Sequence, residues 1–213
     1  MINFPVPPGR RILCLGAHSD DIEIGCGASM LKLLAGCDGL EVLWVVLSAD
    51  GKRKDEARES AASYLSRAAR YEVSVQDFRT SFFPYQGEQI KEFFETLKAF
   101  KPDIVFTHYR EDRHQDHRVV SDLTWNTFRD HLILEYEIPK YDGDLGKPNV
   151  FVQIPVDIVK TKVTELCRHF QTQSNKHWFS EDTFSGLMRL RGVECASPSG
   201  YAEAFHCRKL LLG

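Results

Sequence analysis

The stretch RILCLGAHSDDIEIGCG, residues 11–27, decides how the rest of the chain is read. Its first seven residues form a short, continuous apolar run closed by glycine and polar residues, the pattern of a strand buried on both faces. His18, Asp20 and Asp21 follow directly. Carboxylates buried beside a core lose several kcal/mol of hydration, roughly, unless something compensates them, and a cation is the first candidate. The adjoining GCG, 25–27, lacks both the GxGxxG spacing and the Lys-Ser/Thr ending of a phosphate loop; it reads as the turn into a helix over about residues 27–35.

Outward from this stretch, apolar runs alternate with helical patterns. LEVLWVVLSA (40–49), EVSVQDF (72–78), DIVFTH (103–108) and NVFVQIP (149–155) read as strands. RKDEARESAASYLSRAAR (53–70), GEQIKEFFETLKAF (87–100), VVSDLTWNTFRDHLI (119–133) and VDIVKTKVTELCRHF (156–170) read as helices. KYDGDLGKP (140–148) is a loop, and the tail after Ser180 has no assignable pattern. Strand–helix alternation at this spacing predicts an α/β fold: one Rossmann-like domain, residues 1–213, with a mostly parallel sheet flanked by helices. Such sheets bind ligands beyond the carboxyl ends of their strands. HSDD follows the first strand and HYREDRHQDH the fourth.

The bulk numbers exclude several classes. The 213 residues carry a net charge of −3, so no basic field favours nucleic acid or an anionic membrane. No apolar run is long enough to span a bilayer, and MINFPVPPGRR resembles neither a signal nor a transit peptide, so a cytoplasmic location is expected. The six cysteines are scattered singly and read as reduced thiols outside the chemistry.

His18 and Asp21 stand three apart, as do His114 and His117. Bringing the two loops together would give a site of two histidines and one carboxylate, suited to zinc in a hydrolase but equally to Fe(II). Taken singly, a doubled aspartate after a strand is often a helix cap, and an HxxH pair a solvated loop. Their joint placement after two strands of one parallel sheet favours the metal.

AHSDD, 17–21, resembles the AHPDD motif of the LmbE-like, or PIG-L, N-acetylglucosaminyl deacetylases, and HQDH, 114–117, resembles their HPDH. RKDEARESAA and RGVECASPSGYAEAF (191–205) look like further elements of that family, so the likeness runs from residue 11 to 205. The resemblance implies a zinc-dependent hydrolase that removes an N-acetyl group from an amino sugar or its conjugate. It implies His18, Asp21 and His117 as metal ligands and Asp20 as general base for the attacking water. His114 is implied as a cationic stabiliser of the oxyanion and proton donor, and Asp116 as the residue that orients a histidine. Arg53, His108 and Tyr141 are weaker candidates for substrate or supporting contacts, and Arg191 and Glu203 could pair with each other. Ser19 and Gln115 replace the usual prolines at positions that supply no ligand. The expected partner is a small N-acetylated, sugar-like molecule; the sequence is also compatible with a homo-oligomer. Competing readings are an amidohydrolase of a non-sugar amide, a catalytically silent metal or sugar binder, and an Fe(II) oxygenase.

Overall fold

The computed structural model describes residues 3–211, so the outermost residues of the expected 1–213 domain lie outside the described residues. Seven strands form one sheet in the order β3-β2-β1-β4-β5-β7-β6. They are β1 Arg11–His18, β2 Glu41–Ser48, β3 Arg70–Val75, β4 Ile104–His108, β5 Leu132–Tyr136, β6 Val150–Gln153 and β7 Ala202–His206. The first five are mutually parallel; β7 runs antiparallel to β5 and β6 antiparallel to β7. The helices are α1 Asp21–Gly36, α2 Gly51–Tyr64, α3 Gly87–Leu97, α4 Gln115–Thr127, α5 Val156–His169 and α6 Glu181–Glu194.

The central strands are continuous apolar runs because both sheet faces are covered. On one face Ile12, Cys14, Trp44 and Phe106 join a core with α1 and α5; on the other Leu13, Leu15, Val45 and Val105 pack with α3 and α4. Strand order reverses direction between β1 and β4, which lie side by side with Ile12 opposite Ile104 and Cys14 opposite Phe106. A crevice opens at such a switch point, at the carboxyl ends of the strands. The loops carrying HSDD and HQDH leave from those two ends.

Three expectations need correction. Helix α1 begins at Asp21, not near residue 27, and Gly25 and Gly27 lie inside it. They serve close packing rather than a turn: a Cβ on Gly25 would stand 2.1 Å from the Tyr136 ring, and one on Gly27 2.7 Å from the Tyr64 ring. The segment LILEY, whose first two residues were read into the preceding helix, is β5, buried in the sheet. The unassigned tail contains α6 and β7.

Arg191 and Glu203 do not pair. Arg191 binds Glu137, Glu194 and the Gly146 carbonyl, which fixes the 137–149 loop to α6. Glu203 pairs with Lys162 of α5, and the two lie astride the hydrogen-bond ladder of α1. Lys162 donates to the Ile24 carbonyl at 2.6 Å, while Glu203 accepts from the amides of Ala28 at 3.0 Å and Ser29 at 2.6 Å. That same Ile24 carbonyl is the i−4 position for the Ala28 amide along the helix. All six cysteines are free. Among the described residues no helix is long and apolar enough to cross a membrane.

Candidate metal and active site

Each side chain of the site is delivered by a strand end or a helix start. His18 is the last residue of β1, Asp20 the N-cap of α1 and Asp21 its first residue. His108 ends β4, and after a tight loop His114 caps α4, whose first turn holds Asp116 and His117. The bland alternative for Asp20, a helix-capping carboxylate, does not hold: its side chain makes no capping bond, and its Oδ2 is buried without a partner. Burial chiefly, with the Asp21 charge adding, raises the Asp20 carboxyl to about 6; His18 and Lys176 pull the other way.

Carboxylates only accept hydrogen bonds, so they fix which imidazole nitrogen carries the proton. Asp116 Oδ2 lies 3.0 Å from His18 Nε2 and Asp112 Oδ2 lies 2.9 Å from His117 Nδ1. In the neutral imidazoles both of those nitrogens bear hydrogen, and the lone pairs of His18 Nδ1 and His117 Nε2 then face inward. They stand 3.2 Å apart, and Asp21 Oδ2 lies 3.4 Å from the first and 3.5 Å from the second. Once His18 has lost its second proton, three acceptors converge with none between them, a mutually repulsive set in isolation. Tetrahedral donors at 2.0–2.2 Å from a metal ion are separated by about 3.3–3.6 Å, which is this spacing. The donor set fits a divalent cation.

Two overlapping groups of candidate ligands share His117: one with His18 and His114, the other with Asp21 and His108. Hydrogen bonding separates their members. His114 spends its lone pair on the Asp116 amide, which donates to Nδ1 at 3.2 Å, and His108 Nε2 accepts the Ala17 amide at 3.0 Å. A neutral imidazole has one lone pair, so neither His114 nor His108 has one left in this arrangement.

The charge of the centre follows. Burial pushes the His18 imidazole down, but the carboxylates of Asp21 and Asp116 outweigh it and lift it to about 10. Burial, reinforced by His108, holds His117 down to about 3. Burial and the His18 charge lower His114, against Asp116, Asp21 and Asp112. In this arrangement His114 Nδ1 accepts the Asp116 amide, which leaves Nε2 as the nitrogen that can donate.

Asp116 also takes the amides of Ser81 at 2.6 Å and Phe83 at 3.2 Å, tying the loop after β3 to His18. His108 is fully buried and stacks on His117 with centroids 3.9 Å apart. Arg53 stands in the first turn of α2, partly buried. Tyr141 is 74% exposed on its loop, where the contacts with the site come from Lys140 and Asp144 instead.

Sequence reading gives Asp112 no part in holding a histidine. It is 2% exposed, holds His117 through Oδ2 and accepts the His114 amide through Oδ1 at 2.8 Å. An acid five residues before a ligand histidine, in the loop entering its helix, was the available signal.

A deacetylase of Escherichia coli (strain K12), YaiS, itself described as uncharacterized, is 29% identical over 172 residues, 75% of this chain and 90% of its own length. The diacetylchitobiose deacetylase of Thermococcus kodakarensis is 26% identical over 199 residues, 79% of this chain and 72% of its own. The solved N,N'-diacetylchitobiose deacetylase of Pyrococcus horikoshii, complexed with its inhibitor, superposes with a TM-score of 0.72 at 22% identity, covering 93% and 84% of the two chains. At that identity the likeness is one of fold. The family model described as PIG-L: GlcNAc-PI de-N-acetylase matches residues 13–128, which include both loops of the site. The chain belongs to the PIG-L, or GlcNAc-PI de-N-acetylase, family of N-deacetylases.

Proposed function

We propose that this chain, as one domain of residues 1–213, hydrolyses the N-acetyl group of an N-acetylated amino sugar or sugar conjugate. In this reading His18, Asp21 and His117 hold a divalent cation, zinc first and Fe(II) as the alternative with the same donors. The observation that carries it is the convergence of His18 Nδ1, His117 Nε2 and an Asp21 oxygen within 3.2–3.5 Å of one another, while carboxylates hold the outer ring nitrogens. The sugar comes from relatives: the Thermococcus relative is a diacetylchitobiose deacetylase, and the matching family is that of the GlcNAc-PI de-N-acetylases.

When bound, the cation supplies a Lewis acid for the acetyl carbonyl and brings the pKa of a water toward about 7. The protein does the rest. Asp20, buried and not engaged as a cap, takes the proton of the attacking water; general-base help of this kind is worth about 10²–10⁴-fold. His114 offers its Nε2–H to the developing oxyanion while its Nδ1 stays bonded to the Asp116 amide. The proton taken by Asp20 is then available for the departing amine. Asp112 and Asp116 hold the two ligand histidines in the required tautomers.

The test is acetate release by the zinc-loaded protein from a panel of N-acetylated sugars, nucleotide sugars and glycosides. Turnover of one class that disappears on chelation and in Asp20→Ala, with metal content unchanged in that variant, is the expected result. Zinc lost from Asp20→Ala, with activity restored by excess zinc, would overturn the assigned roles. Turnover of non-sugar amides alone would replace the sugar substrate by the second hydrolase reading.

A further inference from the structure

The 137–149 loop is joined to the site by a lysine that neither the family motifs nor the site assignments include. Lys140 Nζ lies 2.9 Å from Asp112 Oδ2, the same oxygen that holds His117 Nδ1 at 2.9 Å. The lysine side chain is only 8% exposed and Asp112 2%. Lys140 also pairs with Asp144, whose Oδ2 accepts the Arg113 amide at 2.7 Å. The loop is thus clasped onto the segment that presents His114 and His117. Glu137, held by Arg191 and by the Gly146 amide, fixes the root of the same loop to α6.

We propose that Lys140 is a positioning residue that sets how strongly Asp112 draws on the Nδ1 proton of His117, and through it the electron donation of that ligand. The inference rests on the metal-ligand reading of His117 given above. A carboxylate behind a ligand imidazole raises its basicity. An ammonium group on the same carboxylate oxygen competes for that oxygen's electron density and moderates the effect. Without Lys140, Asp112 keeps both its bond to His117 and its bond from the His114 amide, so the histidine stays in place but becomes the stronger donor. A metal ion held by a more electron-rich ligand is held no less tightly and polarises a carbonyl less. The two consequences have opposite signs, and that distinguishes tuning from support. A clasp that only supported the loop would, when broken, loosen the ligand and lower affinity and turnover together.

The experiment compares full-length wild type with Lys140→Met and Lys140→Gln, and with Asp144→Asn, which keeps Lys140 on Asp112. Zinc affinity is measured by competition with a chromophoric chelator, and kcat and KM on the acetylated sugar that wild type turns over best. Thermal melts of the metal-free proteins establish that each variant folds; if Met at 140 does not, Gln carries the test. The expected result for Lys140→Met is zinc held at least as tightly as by wild type and kcat lower by about tenfold, with KM within about twofold. Asp144→Asn should lie within about twofold of wild type in all three. Weaker zinc binding in both folded Lys140 variants, or an unchanged kcat, would overturn the proposal. Were wild type to release no acetate from any sugar, the hydrolase reading would fail on that observation. The zinc affinities would still decide this inference, tighter or equal binding supporting it and weaker binding ending it.

Discussion

Two groups of buried charges face each other across the first helix, and they are built on opposite plans. Under the middle of α1, Lys162 meets Glu203, and beside them Arg191 meets Glu137; every charge has a partner of opposite sign, and further bonds run to backbone groups, Glu194 and His206. At the N-terminus of α1 the balance is broken. Asp20, Asp21, Asp112 and Asp116 crowd around imidazoles whose inward nitrogens converge on an Asp21 oxygen, and an oxygen of Asp20 is buried unpartnered. Buried polar groups in native proteins are satisfied, so an unsatisfied convergence marks a place where something else completes the set. The balanced pairs hold the C-terminal elements to the sheet; the unbalanced cluster is where chemistry is expected.

The sharpest way to break this contrast is to neutralise one charge in each region. Asp20→Asn, in the unbalanced cluster, removes an acceptor with no structural partner. It should lower kcat by about 10²–10⁴-fold while the melting temperature of the metal-free protein stays level or rises. A large fall in stability with a small fall in kcat would make Asp20 a structural residue after all. Lys162→Met does the reverse. Removing one partner strands Glu203 in the core and takes the Lys162 donor from the Ile24 carbonyl, a loss of about 3–5 kcal/mol in urea unfolding. Zinc binding by the folded fraction should be unchanged. If Lys162→Met instead cost under about 1 kcal/mol, the claim that this pair anchors α1 would fall.

Glu23 belongs to neither group, and it tests the rule between them. It lies in the first turn of α1, fully buried, with both carboxyl oxygens unpartnered. Burial pushes its carboxyl up to about 8, the charges of Asp20 and Asp21 adding to the shift and nearby Ser60 opposing it. An unfolded glutamate ionises near 4.5. Between these values the folded chain keeps a proton that the unfolded chain gives up. The associated stability is complete below about pH 4.5 and is lost as pH rises toward 8, at about 1.4 kcal/mol per pH unit. By pH 7 this accumulates to on the order of 3 kcal/mol. Glu23→Gln cannot ionise, so urea stability of the metal-free variant relative to wild type should climb steadily from pH 5 to pH 8. A difference independent of pH would show that Glu23 is ionised in the folded protein.

Much of the first region was legible from the sequence and little of the second. β1, β2 and β4 announce themselves as unbroken apolar runs, and the parallel-crossover rule puts HSDD and HQDH at carboxyl ends of one sheet before any coordinates exist. Local signals failed where a residue's meaning depends on what it meets. Gly25 and Gly27 looked like turn punctuation, but they are small because Tyr136 and Tyr64 lie against them. β5 was hidden because its opening Leu132 and Ile133 continue the apolar spacing of the helix before it. β7 pairs antiparallel at the sheet's far side, where no helix–strand alternation signals it. Asp112 and Lys140 sit 28 residues apart in sequence and acquire their roles only on meeting at one histidine. Arg191 and Glu203, both in the closing motif, look like natural partners, yet Arg191 pairs with Glu137 and with Glu194 one turn on, and Glu203 with Lys162.

The smallest expected effect concerns the proton that the unbalanced cluster retains when no metal is bound. Asp21 and Asp116 hold the His18 imidazole charged up to about 10 despite its burial, whereas His117 stays neutral down to about 3. At pH 7 the metal-free centre therefore carries one proton more than its three inward donors can keep once they share a metal ion. Binding must expel it, because a nitrogen lone pair cannot serve both. Zinc affinity should then rise about tenfold, or 1.4 kcal/mol, for each pH unit between 6 and 9, after correction for hydrolysis of the free ion. Calorimetric titrations in buffers of different ionisation enthalpy should register about one proton released per zinc at pH 7. In His18→Ala the release should vanish along with most of the affinity. Affinity flat across that range, with no buffer dependence, would mean that His18 Nδ1 is not the proton's seat; the inward lone pairs would then be compensated from within the protein, like the charges under the middle of α1.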